Sequence, residues 1–375
     1  MQQLRYDAIV VGLGAMGAAA TYQLAKRGAR VLGIDRYAPP HALGSTHGET
    51  RVTRLAIGEG AQYSPLVMRS HQIWRGIERE TGVELLNECG GLFISSDNKV
   101  AITHVEGFFA NTVAAAEKFG IAHEVLDAAA IRRRYPQFAV ADDEYGYYEP
   151  TAGFVRPEAC VAAQLALAEK HGATLRLNEK VLSLDEGSVA TERGTYAADR
   201  IVLAAGAWLP ALAGLERLFK IHRQVQFWFE ARGDFAPGRF PVFIWELPKG
   251  RQGIYGFPSL DGASSKVATE RYETTTAPNA VDGVGEDERA AMQALIAPYL
   301  PGVGPRVVRA STCLYTVTPD NGFVIDQLGR TIVASPCSGH GFKHSAAIGE
   351  ALAELATGAK PAQDLSPFRI SRFAS

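Results

Sequence analysis

The stretch YDAIVVGLGAMGAAATYQLAKRGARVLGID, Tyr6 to Asp35, decides how the rest of the chain is read. Ala8 to Val11 is an apolar run of strand length. Gly12, Gly14 and Gly17 follow with G-x-G-x-x-G spacing, then an alanine-rich segment of helical length, then a second apolar run closed by Asp35. Strand, glycine turn, helix, strand and acid in that order predict a βαβ unit that holds a dinucleotide. Gly12 permits the tight turn, Gly14 lets the backbone approach a pyrophosphate, and Gly17 lets the helix lie against the strand. The first helical turn, which includes Met16, offers unpaired N–H groups to phosphate. Asp35 is placed to accept hydrogen bonds from a ribose diol, with Arg36 beside it. Taken alone, the motif leaves NAD and FAD open.

At 375 residues the chain exceeds what one hydrophobic core organises, which predicts two domains. With 38 basic and 40 acidic residues there is no basic footprint for nucleic acid and no charge attraction to a membrane surface. Apolar runs are too short to span a bilayer, and Met1 leads almost directly into the first strand, so the expectation is a cytoplasmic protein. Cys89, Cys160, Cys313 and Cys337 show neither CxxC spacing nor a paired histidine pattern, which predicts no metal site and no disulfide framework.

After Asp35 comes a polar stretch from Arg36 to Arg54, too long for an ordinary connection and carrying Ser45, Thr46, His47, Arg51 and Arg54. Tyr63 to Gly82 has helical periodicity. From Glu88 the texture changes, with a strand over 90–95, a helix over 107–119 and a short one over 128–135. The chain returns near Gly153, where Pro157 opens a helix that Gly172 follows. Asp199 to Trp208 reads as a buried parallel strand whose Ala205-Gly206 end can approach a ligand, with Trp208 just beyond. A second excursion, from about Lys220 to Leu314, is rich in β-formers at 225–229, 242–245 and 254–257.

The last return ends in CSGHGFKHSAAIGEALAEL, Cys337 to Leu355. A strand ends at Ser335, Gly339 and Gly341 flank His340, and a helix opens near Phe342, so its positive dipole end faces the carboxyl edge of the sheet. A reduced flavin carries negative charge that such an end stabilises and NAD does not, which tilts the choice to FAD. The expected architecture is α/β: a Rossmann-type FAD-binding domain over 1–86, 147–218 and 318–375, and a discontinuous substrate-binding domain on a mixed β-sheet over 87–146 and 219–317.

Taken together, GLGAMG, GSTHGETRVTR, IYGFPS, Lys266, CLYTVTPD and SGHGFK resemble the monomeric sarcosine oxidase and N-methyltryptophan oxidase family of flavoproteins, nearly end to end. The resemblance implies an enzyme that oxidises the C–N bond of an N-alkyl or cyclic secondary amino acid by hydride transfer to FAD, with O2 reduced to H2O2, acting as a monomer. It implies that Cys313 bonds the flavin covalently and that Arg54 and Lys343 bind the substrate carboxylate. It also implies that His47 and Arg51 lie near the flavin ring, that Lys266 activates oxygen, and that Tyr255 lines the substrate cavity. Without the resemblance, Lys266 after Ser264-Ser265 reads as a solvated loop charge.

Three positions depart from the family pattern. Glu270 stands where sarcosine oxidases carry a histidine facing substrate, Trp245 is large at an expected cavity position, and His344 replaces an aromatic after the lysine of SGHGFK. A carboxylate and an indole change the charge and volume of a pocket, and the carboxylate favours a substrate with a cationic group beyond its reacting amine. Two further readings remain at this point: a dehydrogenase passing electrons to another acceptor, and a non-catalytic flavin-binding protein.

Overall fold

In the computed structural model, which describes residues 5–97, 105–247, 253–272 and 275–374, the opening motif folds as its spacing predicts. β1 (Arg5–Val11), α1 (Ala15–Lys26) and β2 (Val31–Ile34) form the βαβ unit, with β1 and β2 parallel. Gly17 makes this packing available: a Cβ there would lie 1.7 Å from the Gly12 carbonyl oxygen. Gly12 has φ of 87°, and a Cβ would meet the backbone of Ala204 and Ala205 at 2.6–2.7 Å.

The two later returns join the same sheet. Gly194–Leu203 pairs with β1 in parallel, and Thr331–Ser335 pairs in parallel with Gly194–Leu203. Thr174–Arg176 adds a parallel strand beside β2. The carboxyl ends of these strands therefore converge at Gly12, Asp35, Ala204 and Pro336, which is where open α/β sheets bind ligands. Helices Pro157–Lys170 and Ser345–Ala356 pack against α1. Gly349 allows the second of these contacts, because a Cβ there would lie 2.3 Å from the Ala19 Cβ.

The excursions supply a second sheet of eight strands, in the order 303–317, 220–231, 264–268, 254–256, 242–245, 91–96, 144–149, 124–127. All pairs are antiparallel except Val242–Trp245 with Gly91–Ser96, so the sheet is mixed. Glu144–Glu149 pairs over its full length with Gly91–Ser96. The division expected between 146 and 147 thus falls inside a strand, and the first excursion ends after Glu149.

Alternation divides the work of this sheet. Leu92, Ile94, Val225, Phe227, Phe229, Phe243, Trp245, Ile254 and Val267 face one core, closed by Met292 and Ile296 of helix Glu286–Ile296. Their sequence neighbours Phe93, Gln226, Ile244, Tyr255 and Lys266 face the other way, towards the first sheet's carboxyl edge. A short sheet of Arg51–Thr53, Gly153–Val155 and Leu86–Asn87 joins the two regions.

Candidate active site

A cavity of about 440 Å³ runs along the carboxyl edge of the first sheet. Gly12, Gly14, Met16, Asp35, Arg36, Ser45, Thr46, Arg51, Ala205, Gly206, Trp208, Gly339, Gly341 and Phe342 all line it. Gly14 brings no side-chain cap to α1; the Ala15 amide donates to Thr46 Oγ1 at 3.4 Å, and Met16, which lines the cavity, follows at the positive end of the helix, where an anion is favoured. Asp35 is nearly buried; Oδ2 accepts from the Leu13 amide at 2.7 Å and Oδ1 from the Tyr37 amide at 2.8 Å. Burial raises its carboxyl above the ordinary range, against those two hydrogen bonds.

One residue at the mouth gave no sequence signal. Asn279 accepts hydrogen bonds at 2.8 Å from both Arg36 Nη1 and Trp208 Nε1, so the second excursion reaches back over the dinucleotide end. Gly17 does not touch the cavity; it sets the helix packing behind it.

A smaller cavity of about 80 Å³ adjoins the first and shares Arg51, Tyr315, Gly339 and Phe342 with it. Arg54, Tyr255, Lys266, Glu270, Cys313, His340 and Lys343, drawn from five segments of the chain, line this space. His47 is not on its wall. It lies buried behind, with Nε2 unpartnered among the described residues, and burial, then the nearby Arg51, lowers it to about 4, so the ring is neutral.

Arg54 is 2% exposed, with its guanidinium between the rings of Phe93 and Phe108, 5.3 Å from each centroid. Its Nη2 donates to Glu59 Oε2 at 2.5 Å. Lys343 Nζ donates to the His340 carbonyl at 2.6 Å and lies 3.7 Å from Glu59 Oε1. Burial works to raise the Glu59 carboxyl, but Arg54, Lys343 and His340 outweigh it and hold the group well below the usual range. Burial lowers Lys343 to about 7, with Glu59 opposing and Arg54 reinforcing. Glu59 thus completes the cationic clamp. It lies in a short glycine-flanked segment, GEG, that looks like an ordinary turn in sequence.

Lys266 sits inside strand Ser264–Ala268 and is 3% exposed, not on a solvated loop. Its Nζ donates to the carbonyls of Gly48 at 2.8 Å and Thr50 at 2.7 Å and lies 4.0 Å from the Phe257 ring centroid. Burial, then Arg51, holds the ammonium well below its ordinary value. Gly48 must be glycine here: its φ is 95°, and a Cβ would lie 2.2 Å from Gln226 Oε1. Gln226 Nε2 in turn points at Cys313 Sγ, 3.4 Å away. Cys337 lines the larger cavity instead, with its Sγ accepting from the Thr316 amide at 3.3 Å.

One expected position falls outside the cavity. Trp245 is wholly buried on the opposite face of its strand, in the aromatic core, where Nε1 donates to Glu144 at 2.7 Å. Its neighbour Ile244 takes the cavity position, because strand alternation sends adjacent residues to opposite faces. His344 lies behind Lys343 against Tyr63 and Phe323, with neither ring nitrogen hydrogen-bonded among the described residues. Burial, then Lys343, holds it neutral.

A family model described as FAD dependent oxidoreductase matches residues 7–355. The chain belongs to this FAD dependent oxidoreductase family. That membership makes FAD the dinucleotide. The monomeric sarcosine oxidase of Streptomyces avermitilis is 38% identical over 385 residues, covering 99% of this chain and 98% of that protein. The N-methyl-L-tryptophan oxidase of Citrobacter koseri is 34% identical, covering 99% and 100%. Among solved structures, NikD, an unusual amino acid oxidase essential for nikkomycin biosynthesis, superposes with a TM-score of 0.83 at 28% identity, covering 97% of each chain. Relatives of both curated kinds act on secondary amino acids by name, and this chain is likewise an FAD-dependent oxidoreductase. Among the described residues, no helix is long and apolar enough to cross a membrane.

Proposed function

We propose that this oxidoreductase is a flavin-dependent oxidase of a small secondary amino acid, N-alkylated or cyclic, with O2 as electron acceptor. The observation that carries the reading is the convergence of Arg54, Lys343 and Lys266 on one small cavity that opens into the cofactor cavity. Bound FAD supplies the hydride acceptor and the route for the electron pair to O2. Arg54 and Lys343 hold the substrate carboxylate through a planar fork and a point charge, which fixes the amine and its adjacent C–H bond towards the cofactor end. Walls of Ile244, Tyr255 and Phe342 exclude water.

Lys266 serves the oxygen half of the reaction. An ammonium whose charge is disfavoured at rest becomes favourable when negative charge develops beside it, so its stabilisation is greatest during electron transfer to oxygen. In this reading Cys313 carries the flavin covalently, supported by its place on the wall of the small cavity and by its Gln226 donor. The name monomeric sarcosine oxidase, carried by those relatives, supports a monomer.

The test is a screen of small secondary amino acids for O2 consumption and peroxide. Peroxide formed in step with substrate loss is the expected result. Flavin bleaching without oxygen uptake would replace the oxidase with a dehydrogenase, and no bleaching by any amino acid would overturn the reading.

A further inference from the structure

Glu270 lines the small cavity with Arg54, Lys343 and Tyr255, two residues beyond strand Ser264–Ala268. Its Oε2 accepts from the Tyr272 hydroxyl at 3.3 Å. Its Oε1 lies beside Gly339, where a Cβ would sit 3.2 Å from it. Gly339 belongs to both cavities, so this oxygen stands at the end of the small cavity that opens on the cofactor space.

Among the described residues the carboxyl has no cation of its own. Lys343 and Arg54 act on it from a distance, and both are engaged by Glu59. The other groups that face it are Tyr255, Tyr272 and Tyr315, which burial keeps neutral, and Glu59, which is negative. Burial, then Glu59, pushes Glu270 up to about 8, so it waits protonated near neutral pH. An unpaired carboxylate in such a place is costly, and an incoming cation removes the cost.

An amino acid brings that cation. With its carboxylate on Arg54 and Lys343, its nitrogen is two bonds further on and must lie towards the cofactor end, where Oε1 is. A cavity of about 80 Å³ admits a small amino acid, whose cationic nitrogen is the reacting one. Resting on the oxidase reading above, we propose that Glu270 is the counter-ion of the substrate's amino nitrogen, so that this site selects the zwitterion by gripping both of its charges. The cation that Glu270 favours is therefore the reacting amine itself, not a second group beyond it.

Two non-reacting probes that differ by one S-methyl group and its positive charge test this on the FAD-loaded protein: (methylthio)acetate, a neutral thioether carboxylate, and (dimethylsulfonio)acetate, a permanent cation; the steric difference is common to both proteins and cancels when the ratio is compared between them. Dissociation constants are read from the flavin absorption spectrum. The preference for the cation, as a ratio of the two constants, should fall at least about tenfold in Glu270→Gln, the scale of a hydrogen bond to a charged group, and recover in Glu270→Asp. A ratio unchanged by Glu270→Gln overturns the proposal. On the unmodified protein in weak buffer near neutral pH, the sulfonium should release about one proton more than the thioether as Glu270 ionises. Equal release from the two probes also overturns it. Failure of the oxidase reading shows separately, as the absence of peroxide from every amino acid screened.

Discussion

Glu59 Oε2 accepts a hydrogen bond from Arg54 Nη2 at 2.5 Å while Glu59 Oε1 lies 3.7 Å from Lys343 Nζ, so the two cations of the clamp are held apart and aimed by one buried carboxylate. Lys343 is lowered to about 7 even with Glu59 supporting its charge. A ligand carboxylate needs that charge. Affinity for (methylthio)acetate should be level below about pH 7 and weaken above it, by up to about tenfold per pH unit. In Glu59→Gln the lysine loses its support, so the break should move to lower pH, while binding on the acid side tightens because Glu59 no longer competes for Arg54. A flavin-monitored titration across pH checks both; a break that stays in place would sink the linkage.

The contacts of Lys266 predict a split between half-reactions. Lys266→Met keeps the stem among Phe257 and Trp228 but removes the donor to Gly48 and Thr50 and the only charge assigned to oxygen. Loss of one aimed electrostatic group costs about 10²–10³ in rate. Reoxidation by O2, followed by stopped flow, should slow by that factor, with anaerobic reduction changed less than about tenfold. Equal slowing of both would remove the oxygen role from Lys266.

What could be read from the sequence, and what could not, follows from how each residue signals. The dinucleotide turn was legible because glycine spacing and an acid at a strand end are local requirements of the backbone at Gly12, Gly17 and Asp35. Arg54, Lys343 and Tyr255 came from a family resemblance, and the structure brings them together. The face of Trp245 was not legible: Val242–Trp245 is buried on both sides, so apolar and polar residues do not alternate to mark the cavity side. Glu59, Gln226 and Asn279 gave no signal, since their roles arise only when distant segments meet. The burial of Lys266 was hidden for the same reason, its partners being carbonyls more than two hundred residues earlier.

Gly17→Ala tests how far the cofactor site depends on the helix lying against its strand. The added Cβ would sit 1.7 Å from the Gly12 carbonyl oxygen and 3.3 Å from Val10, so α1 must move outwards and carry the turn with it. A backbone clash of this kind belongs with overpacking, at about 1–3 kcal/mol or more. The expected result is a lower melting temperature and loss of FAD on gel filtration. Gly28→Ala is the control: its φ is 82°, which costs some strain, but nothing stands within 4 Å and it is remote from the cavity. FAD retention should then be normal in Gly28→Ala; equal loss in both variants would point to general destabilisation and away from the turn.

Two thiols flank the junction of the cavities, and their surroundings predict which one carries the flavin. Cys337 Sγ is occupied as an acceptor for the Thr316 amide, and burial raises its thiol above the ordinary value. Cys313 lines the small cavity and receives the Gln226 amide, a donor that fixes the direction of the sulfur. After acid precipitation, yellow colour should stay with the polypeptide in the unmodified protein and in Cys337→Ala, and pass entirely to the supernatant in Cys313→Ala. Gln226→Leu removes the donor while preserving bulk beside Gly48. It should slow attachment when apoprotein is reconstituted with FAD, by up to about tenfold for the loss of the hydrogen bond that aims the sulfur, and leave noncovalent FAD binding intact. Colour retained by Cys313→Ala and lost from Cys337→Ala would transfer the linkage to Cys337. An unchanged rate in Gln226→Leu would leave the cysteine assignment standing and remove the glutamine from it.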